Sequence, residues 1–465
     1  MTFAHPFMAN SVDATKHDML ATIGAGSIEE LFEQIPSDHR MATPLQLPPP
    51  LKSEVALRRH ILSLLKKNSD CEANLSFLGG GCWQHHVPAI CDEIAGRSEF
   101  LTPVWGTPSS DLGRNQAWFE FTSQLGELLE MKIVGLPVYS WGCAAGHAIR
   151  MASRLTGRHE VLVPRLIDPE RLSVIRNYCE PAAMPSHIAI VEIGFDPATG
   201  LIDLTDLEAR ISDRTAAVYI ETPNYLGIIE TQGAAIAAIA HRAGAELIAG
   251  IDPISLGVLA PPADWGADIV VGTTQTLGVH MHCGGGTGGF VASRDEERYA
   301  REYPCLLVSI AETTVPGERA FGLSLLHQSS YGMRENGKDW TGNSVYLWAI
   351  ANAVYMSVMG PQGFRDVGEL ILQQSHYAAA RIAAIPGVDV LFPRGFFKEF
   401  VVRFNGAGLT VDAVNSALRA RGIFGGHDLS ADFPDLGQAA LYAVTEIHSK
   451  GDIDRLVEAL SKVVR

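Results

Sequence analysis

Five short apolar runs, at 160–164, 188–192, 216–221, 246–252 and 268–271, constrain the fold more than anything else in the chain. Runs this short and this uniformly apolar suit strands covered on both faces. Helical runs separate several of them. The alternation predicts an α/β architecture, a mostly parallel sheet with helices on both sides. Further helices are predicted at 115–129 and 142–155, with a strand end at 133–139. In such a sheet a ligand sits beyond the carboxyl ends of the strands. Those ends carry Glu221-Thr222-Pro223-Asn224, Asp252-Pro253-Ile254-Ser255 and Gly272-Thr273-Thr274-Gln275-Thr276-Leu277-Gly278.

The flanks read differently. Residues 12–40 predict helical hairpins, with Ser27 and Glu30 spaced as a capping box. A proline-rich connector at 44–50 follows, then an amphipathic helix at 53–67. After residue 344 the pattern predicts a long apolar helix at 345–358, ended by Gly360-Pro361, and a second at 363–384. Strands at 388–392 and 399–404 and helices at 409–421 and 452–464 complete a smaller α+β region. The organisation expected is an N-terminal arm (1–60), a large domain (61–343) and a small C-terminal domain (344–465).

A chain of 465 residues with 47% hydrophobic and 19% charged residues is globular and long enough for a large core. A net charge of −16 argues against nucleic acid or an anionic membrane as the main partner. No apolar run reaches membrane-spanning length, and the first residues lack the pattern of a signal peptide, so a cytoplasmic location is expected. The seven cysteines, at 71, 82, 91, 143, 179, 283 and 305, form no CxxC pair. They imply neither a disulfide framework nor a zinc ribbon.

The segment Gly284-Gly285-Gly286-Thr287-Gly288-Gly289 is neither a Walker loop nor a Rossmann fingerprint. It reads either as a tight hairpin before a strand at 290–292 or as a close backbone approach to a ligand. His85 and His86 are adjacent, so in extended chain they point to opposite sides. With Cys82 they allow a metal, a site contact or ordinary packing. His280-Met281-His282-Cys283 is a second imidazole–thiol cluster. It lacks a fourth ligand at zinc spacing, and a polar lining to a cleft is the better reading. No metal is expected. Arg334 is suited to a bidentate grip on a carboxylate or to a surface ion pair with Glu335. Asn343 precedes the long helix as a pocket residue or as its cap. One absence stands out. The chain has nine lysines, and none lies between Lys132 and Lys338.

The chain resembles the N-terminal subunit of two-subunit glycine decarboxylase, the P-protein of the glycine cleavage system. The resemblance rests on Met19-Leu20-Ala21-Thr22-Ile23-Gly24, on Phe77-Leu78-Gly79-Gly80-Gly81 with His85-His86-Val87-Pro88, and on Asp252-Pro253-Ile254-Ser255-Leu256-Gly257-Val258-Leu259. Residues 266–272, 275–278, 422–426 and 443–446 add to it. It implies a fold-type I pyridoxal-phosphate (PLP) architecture, in which only the second subunit keeps the lysine that forms the aldimine. Gln275 then stands near the place of that lysine, and an amide forms no aldimine. Asp252 falls where this fold type keeps a carboxylate against the pyridinium nitrogen; the alternative is an acid that caps the turn before Pro253. His85 or His86 would reach the shared site.

The resemblance further implies a reaction: decarboxylation of glycine on PLP held mainly by a second subunit, and transfer of the aminomethyl group to a lipoyl carrier protein. This chain would supply loops around 77–111 and 327–343. Those loops depart from the family. The tyrosine-rich loop is replaced by 101–111 with Trp105, and the basic segment at 327–343 is remodelled. The departures motivate one alternative, a paralogue acting on a larger or N-substituted amino acid; a non-catalytic partner subunit is a second alternative.

Overall fold

The computed structural model describes residues 4–41, 43–100, 108–282, 287–324, 333–341 and 344–464. Two compact units result, Met1–Ser69 and Asp70–Arg465.

The first unit has no core of its own. Its helices are Asp13–Thr22 and Glu54–Leu65. The second starts where Ser53 accepts a hydrogen bond from the Ala56 N–H, as its position before the apolar run predicts. Only half of the Ser27–Glu30 box forms: Ser27 Oγ accepts the Glu30 N–H at 3.3 Å, but the Glu30 side chain accepts from the Gly26 N–H, and only a short 3-10 turn, Glu29–Phe32, follows. None of the described residues among 4–69 is buried. Phe7, Leu45, Leu47, Leu57, Ile61 and Leu65 are all exposed.

The second unit begins with a short strand, β1 (Leu75–Ser76). Its centre is a seven-stranded sheet made of β2 (Ile133–Val134), β3 (Glu160–Pro164), β4 (Ala189–Ile193), β5 (Thr215–Glu221), β6 (Glu246–Ile251), β7 (Ile269–Thr273) and β8 (Gly289–Ser293). The spatial order is β2-β8-β7-β6-β5-β3-β4. β4, β3, β5, β6 and β7 run parallel, and β8 and β2 close one edge antiparallel. Every residue of β3, β5, β6 and β7 is buried, which is why these strands read as unbroken apolar runs. The run at 133–139 yields only the two paired residues of β2.

A hairpin of β9 (Leu307–Glu312) and β10 (Arg319–Ser324) follows. The C-terminal sheet takes β11 (Asp389–Leu391) and β12 (Glu399–Arg403). Next comes β13 (Ile423–Phe424), which pairs with β1 instead. β14 (His427–Asp428) and β15 (Ala439–Ala443) complete the sheet in the order β11-β12-β15-β14.

The helix Tyr346–Ala383 joins the cores. Its residues from Tyr346 to Ile371 pack into the core against the central sheet, and Ala378, Ala379 and Ile382 pack under the C-terminal sheet. The break predicted at Gly360-Pro361 is a kink, with Gly360 at φ 55°, ψ 179°. The helix therefore consists of the two expected segments, 345–358 and 363–384, with their ends moved by a few residues.

Candidate cofactor cleft

The carboxyl ends of β5, β6 and β7 meet below the first residues of β12. The approach is close: a Cβ placed on Gly227 would stand 2.0 Å from the Glu399 carbonyl oxygen. The Phe397 N–H donates to the Gly227 carbonyl at 3.1 Å. β12 is thereby brought down onto the strand ends, and it carries Lys398 and Glu399 with it.

Asp252 follows β6 and is buried. Its Oδ1 accepts from the Ile254 N–H at 3.2 Å, capping the short turn Pro253–Gly257, and from Thr276 Oγ1 at 3.0 Å. Its Oδ2 lies 2.7 Å from Lys398 Nζ. This is an ion pair held by proximity more than by hydrogen-bond alignment. Lys398 Nζ also stands 3.4 Å from the centroid of the Trp83 ring and donates to His85 Nε2 at 3.0 Å. An ammonium can only donate, so Nε2 accepts and the His85 proton sits on Nδ1. From there it is donated to Glu446 Oε2 at 2.7 Å. Glu446, His85, Lys398, Asp252 and Thr276 thus form one continuous polar chain from the C-terminal region to the central sheet.

Glu399 beside it is buried and accepts the Gly80 N–H at 2.7 Å. Burial pushes its carboxyl up to about 7, against the opposing pull of the Gly80 N–H and the Lys398 ammonium.

Gln275 occupies the loop after β7, buried, where its side chain is spent on backbone. Nε2 donates to the carbonyls of Trp83 at 2.9 Å and Val279 at 3.2 Å, and Oε1 accepts the Trp83 N–H at 3.4 Å. Across the cleft Arg171 makes two 2.7 Å bonds to Glu221 and lies 3.8 Å from the Trp141 ring centroid. Trp141 opens the helix Trp141–Thr156, whose first turn is capped internally by Ser140 Oγ accepting from Cys143 N–H. A helix start at the strand ends is a common seat for phosphate; here a tryptophan and a paired arginine fill the space before it.

PLP does not fit these residues. Asp252 already faces a resident cation, which the Trp83 ring covers, and Gln275 offers no amine.

The other sequence candidates lie elsewhere. His85 is buried in the chain just described, while His86 is exposed and contributes its backbone N–H to Glu446 Oε1 at 2.7 Å. His280 is exposed and pairs with Asp92 at 3.0 Å; His282 stacks on Trp348 with centroids 4.9 Å apart. Neither lines the cleft around Asp252. Arg334 is exposed at φ 53° in a short 3-10 turn, away from that lining. Trp105, Cys283 and Asn343 lie outside the described residues. Among the described residues no group of three potential metal ligands gathers, and no helix is long and apolar enough to cross a membrane.

The segment 338–341 is clamped to the helix Trp141–Thr156. Arg150 and Arg154 reach Asp339 at 2.5 and 2.7 Å, Lys338 pairs with Glu302, and Thr341 Oγ1 lies 2.7 Å from His147 Nε2. Burial brings His147 down to about 4, so it is neutral at pH 7.

Sequence reasoning missed Lys398, Trp83, Arg171 and Glu399 as cleft residues, and Glu446 as the acid behind His85. The available signal was a Lys-Glu pair directly before an apolar strand, at a place where a surface charge would ordinarily be dismissed.

The comparisons with known proteins fit this picture. The family model of the glycine cleavage system P-protein matches residues 7–460. A protein of Staphylothermus marinus called "Probable glycine dehydrogenase (decarboxylating) subunit 1" is 36% identical over 99% of this chain and 98% of its own length. A protein of the same name from Brevibacillus brevis is 35% identical over 97% of this chain and 98% of its own. A crystal structure of glycine decarboxylase (P-protein), in inhibitor-bound form, superposes with a TM-score of 0.87 at 32% identity, over 99% of this chain and 100% of that one. A sphingosine-1-phosphate lyase of Burkholderia pseudomallei, 17% identical with a TM-score of 0.65 over 92% of this chain and 94% of that one, shares the fold alone. The architecture is that of fold-type I PLP enzymes, and the chain belongs to the glycine cleavage system P-protein family.

Proposed function

We propose that this chain is the first subunit of a glycine decarboxylase, which acts on glycine only together with a second, lysine-bearing chain of the same fold. The observation that carries the reading is the cleft itself. In a chain matched by the family over 7–460, the strand-end cleft holds a Lys398–Asp252 pair where a PLP site would need an open carboxylate, and the loop after β7 offers Gln275 where the resemblance places the aldimine lysine. PLP, supplied by the second chain, is the electron sink for decarboxylation. The aminomethyl group passes to a lipoyl carrier.

This chain's part is to wall the shared pocket and exclude water. The Asp339 clamp supports that part, because it fixes one end of the 327–343 segment to a buried helix. The full-length relatives named for glycine favour glycine over a larger amino acid. The test is exchange of labelled bicarbonate into glycine. The chain alone should give none, and the chain with a second subunit and a lipoyl carrier should give rapid exchange. Exchange by the isolated chain, or none by the complete set, would refute the reading.

A further inference from the structure

We infer that Lys398 is a built-in replacement for a cofactor, a side-chain cation seated against Asp252 that closes this chain's own cleft and fastens the C-terminal sheet to the central sheet. The inference deepens the proposed function, since it concerns the subunit assigned there to hold no PLP, but its test needs neither partner nor substrate.

Three observations converge on Lys398. The first is position: Asp252 follows the carboxyl end of β6, the central strand of the seven-stranded sheet, and a ligand of this sheet type sits beyond such strand ends. The second is completeness. The ammonium is buried between an anion at 2.7 Å, an imidazole acceptor at 3.0 Å and an aromatic face at 3.4 Å. A buried lysine held this way has the partners that charge burial demands. The third is connectivity. Lys398 is the residue just before β12, whereas Asp252 and Thr276 belong to loops of the central sheet and Trp83 to the segment after β1. One cation therefore ties three stretches of chain that are remote in sequence.

An ion pair of this kind has an asymmetric response to mutation. Removing one member strands the other as an unpaired buried charge, whereas removing both with apolar residues of similar size is tolerated. That asymmetry separates a seated cation from a lysine that merely fills space.

The experiment uses the full chain without partner. Thermal unfolding is followed for wild type, Lys398→Met, Asp252→Leu and the double variant, each with and without PLP. Each single substitution should lower Tm by roughly 5 °C, and the double variant should recover most of that loss. Wild type should show no PLP-dependent rise in Tm and no visible absorbance of bound cofactor. Lys398→Ala, which removes the side chain beyond Cβ, should regain stability from ethylammonium and not from tetramethylammonium. Should the single variants fail to fold while the double variant folds, the coupling is shown all the more directly. Additive losses in the double variant would overturn the role of Lys398. Stoichiometric uptake of PLP by wild type would overturn the closed cleft. Neither result touches the exchange reaction, so the two readings fail separately.

Discussion

Glu399 is the cleft residue whose protonation matters near neutral pH. Its carboxyl stands at about 7 in the folded chain against an ordinary 4.5. Below about 4.5 both states hold the proton and the contribution to stability is whole. As pH rises from there to about 7, the unfolded chain releases its proton first and stability falls; above that it levels off. The expected loss is on the order of 3 kcal/mol. Urea midpoints measured from about pH 5 to 8 should show this slope in wild type and a flatter one in Glu399→Gln. Equal slopes would remove Glu399 as its source. The residue scale is also where sequence reading reached least far. Asp252 was legible because it ends an apolar strand, and the opposite sides of His85 and His86 followed from their adjacency. Lys398 was not, because its partners lie in loops more than a hundred residues away and only the packing of β12 brings them together.

At the scale of elements, sequence reading did far better. The strands of the parallel sheet declare themselves because burial on both faces leaves an unbroken apolar run, and the long helix declares its break through Gly360-Pro361. The hairpin β9–β10 was missed. Its strands are only partly covered, and a mixed run such as Leu307-Val308-Ser309-Ile310-Ala311-Glu312 lacks the uniform signature of the core strands. Gly360 is the element-scale test. Its φ of 55° with ψ of 179° belongs to a region essentially closed to other residues, and beyond the adjoining chain no atom lies within 4 Å of where a Cβ would be. The strain of a substitution is then conformational and not steric. Gly360→Ala should cost about 1–3 kcal/mol in chemical denaturation. A neutral substitution would mean that the kink relaxes freely.

At the scale of the whole molecule, the unit Met1–Ser69 carries much of the chain's exposed apolar surface and has no interior. Apolar surface this extensive marks an interaction site. Removing residues 1–45 should weaken association with a second subunit, read by light scattering of the mixed chains, while the far-ultraviolet spectrum of the remainder keeps its α/β character. Undiminished association would show that the arm is dispensable. The helix Tyr346–Ala383 carries a different consequence. Its stretch after the kink packs into the core of the central sheet through Phe364 and Ile371 and into that of the C-terminal sheet through Ala378 and Ile382. At a separate place Lys398 pins β12 to Asp252. Two attachments set apart leave only the line between them as an axis about which the C-terminal sheet could turn. The sheet is thus held against every swing except a roll about that line, a motion that would carry β12 along the mouth of the cleft without lifting it away.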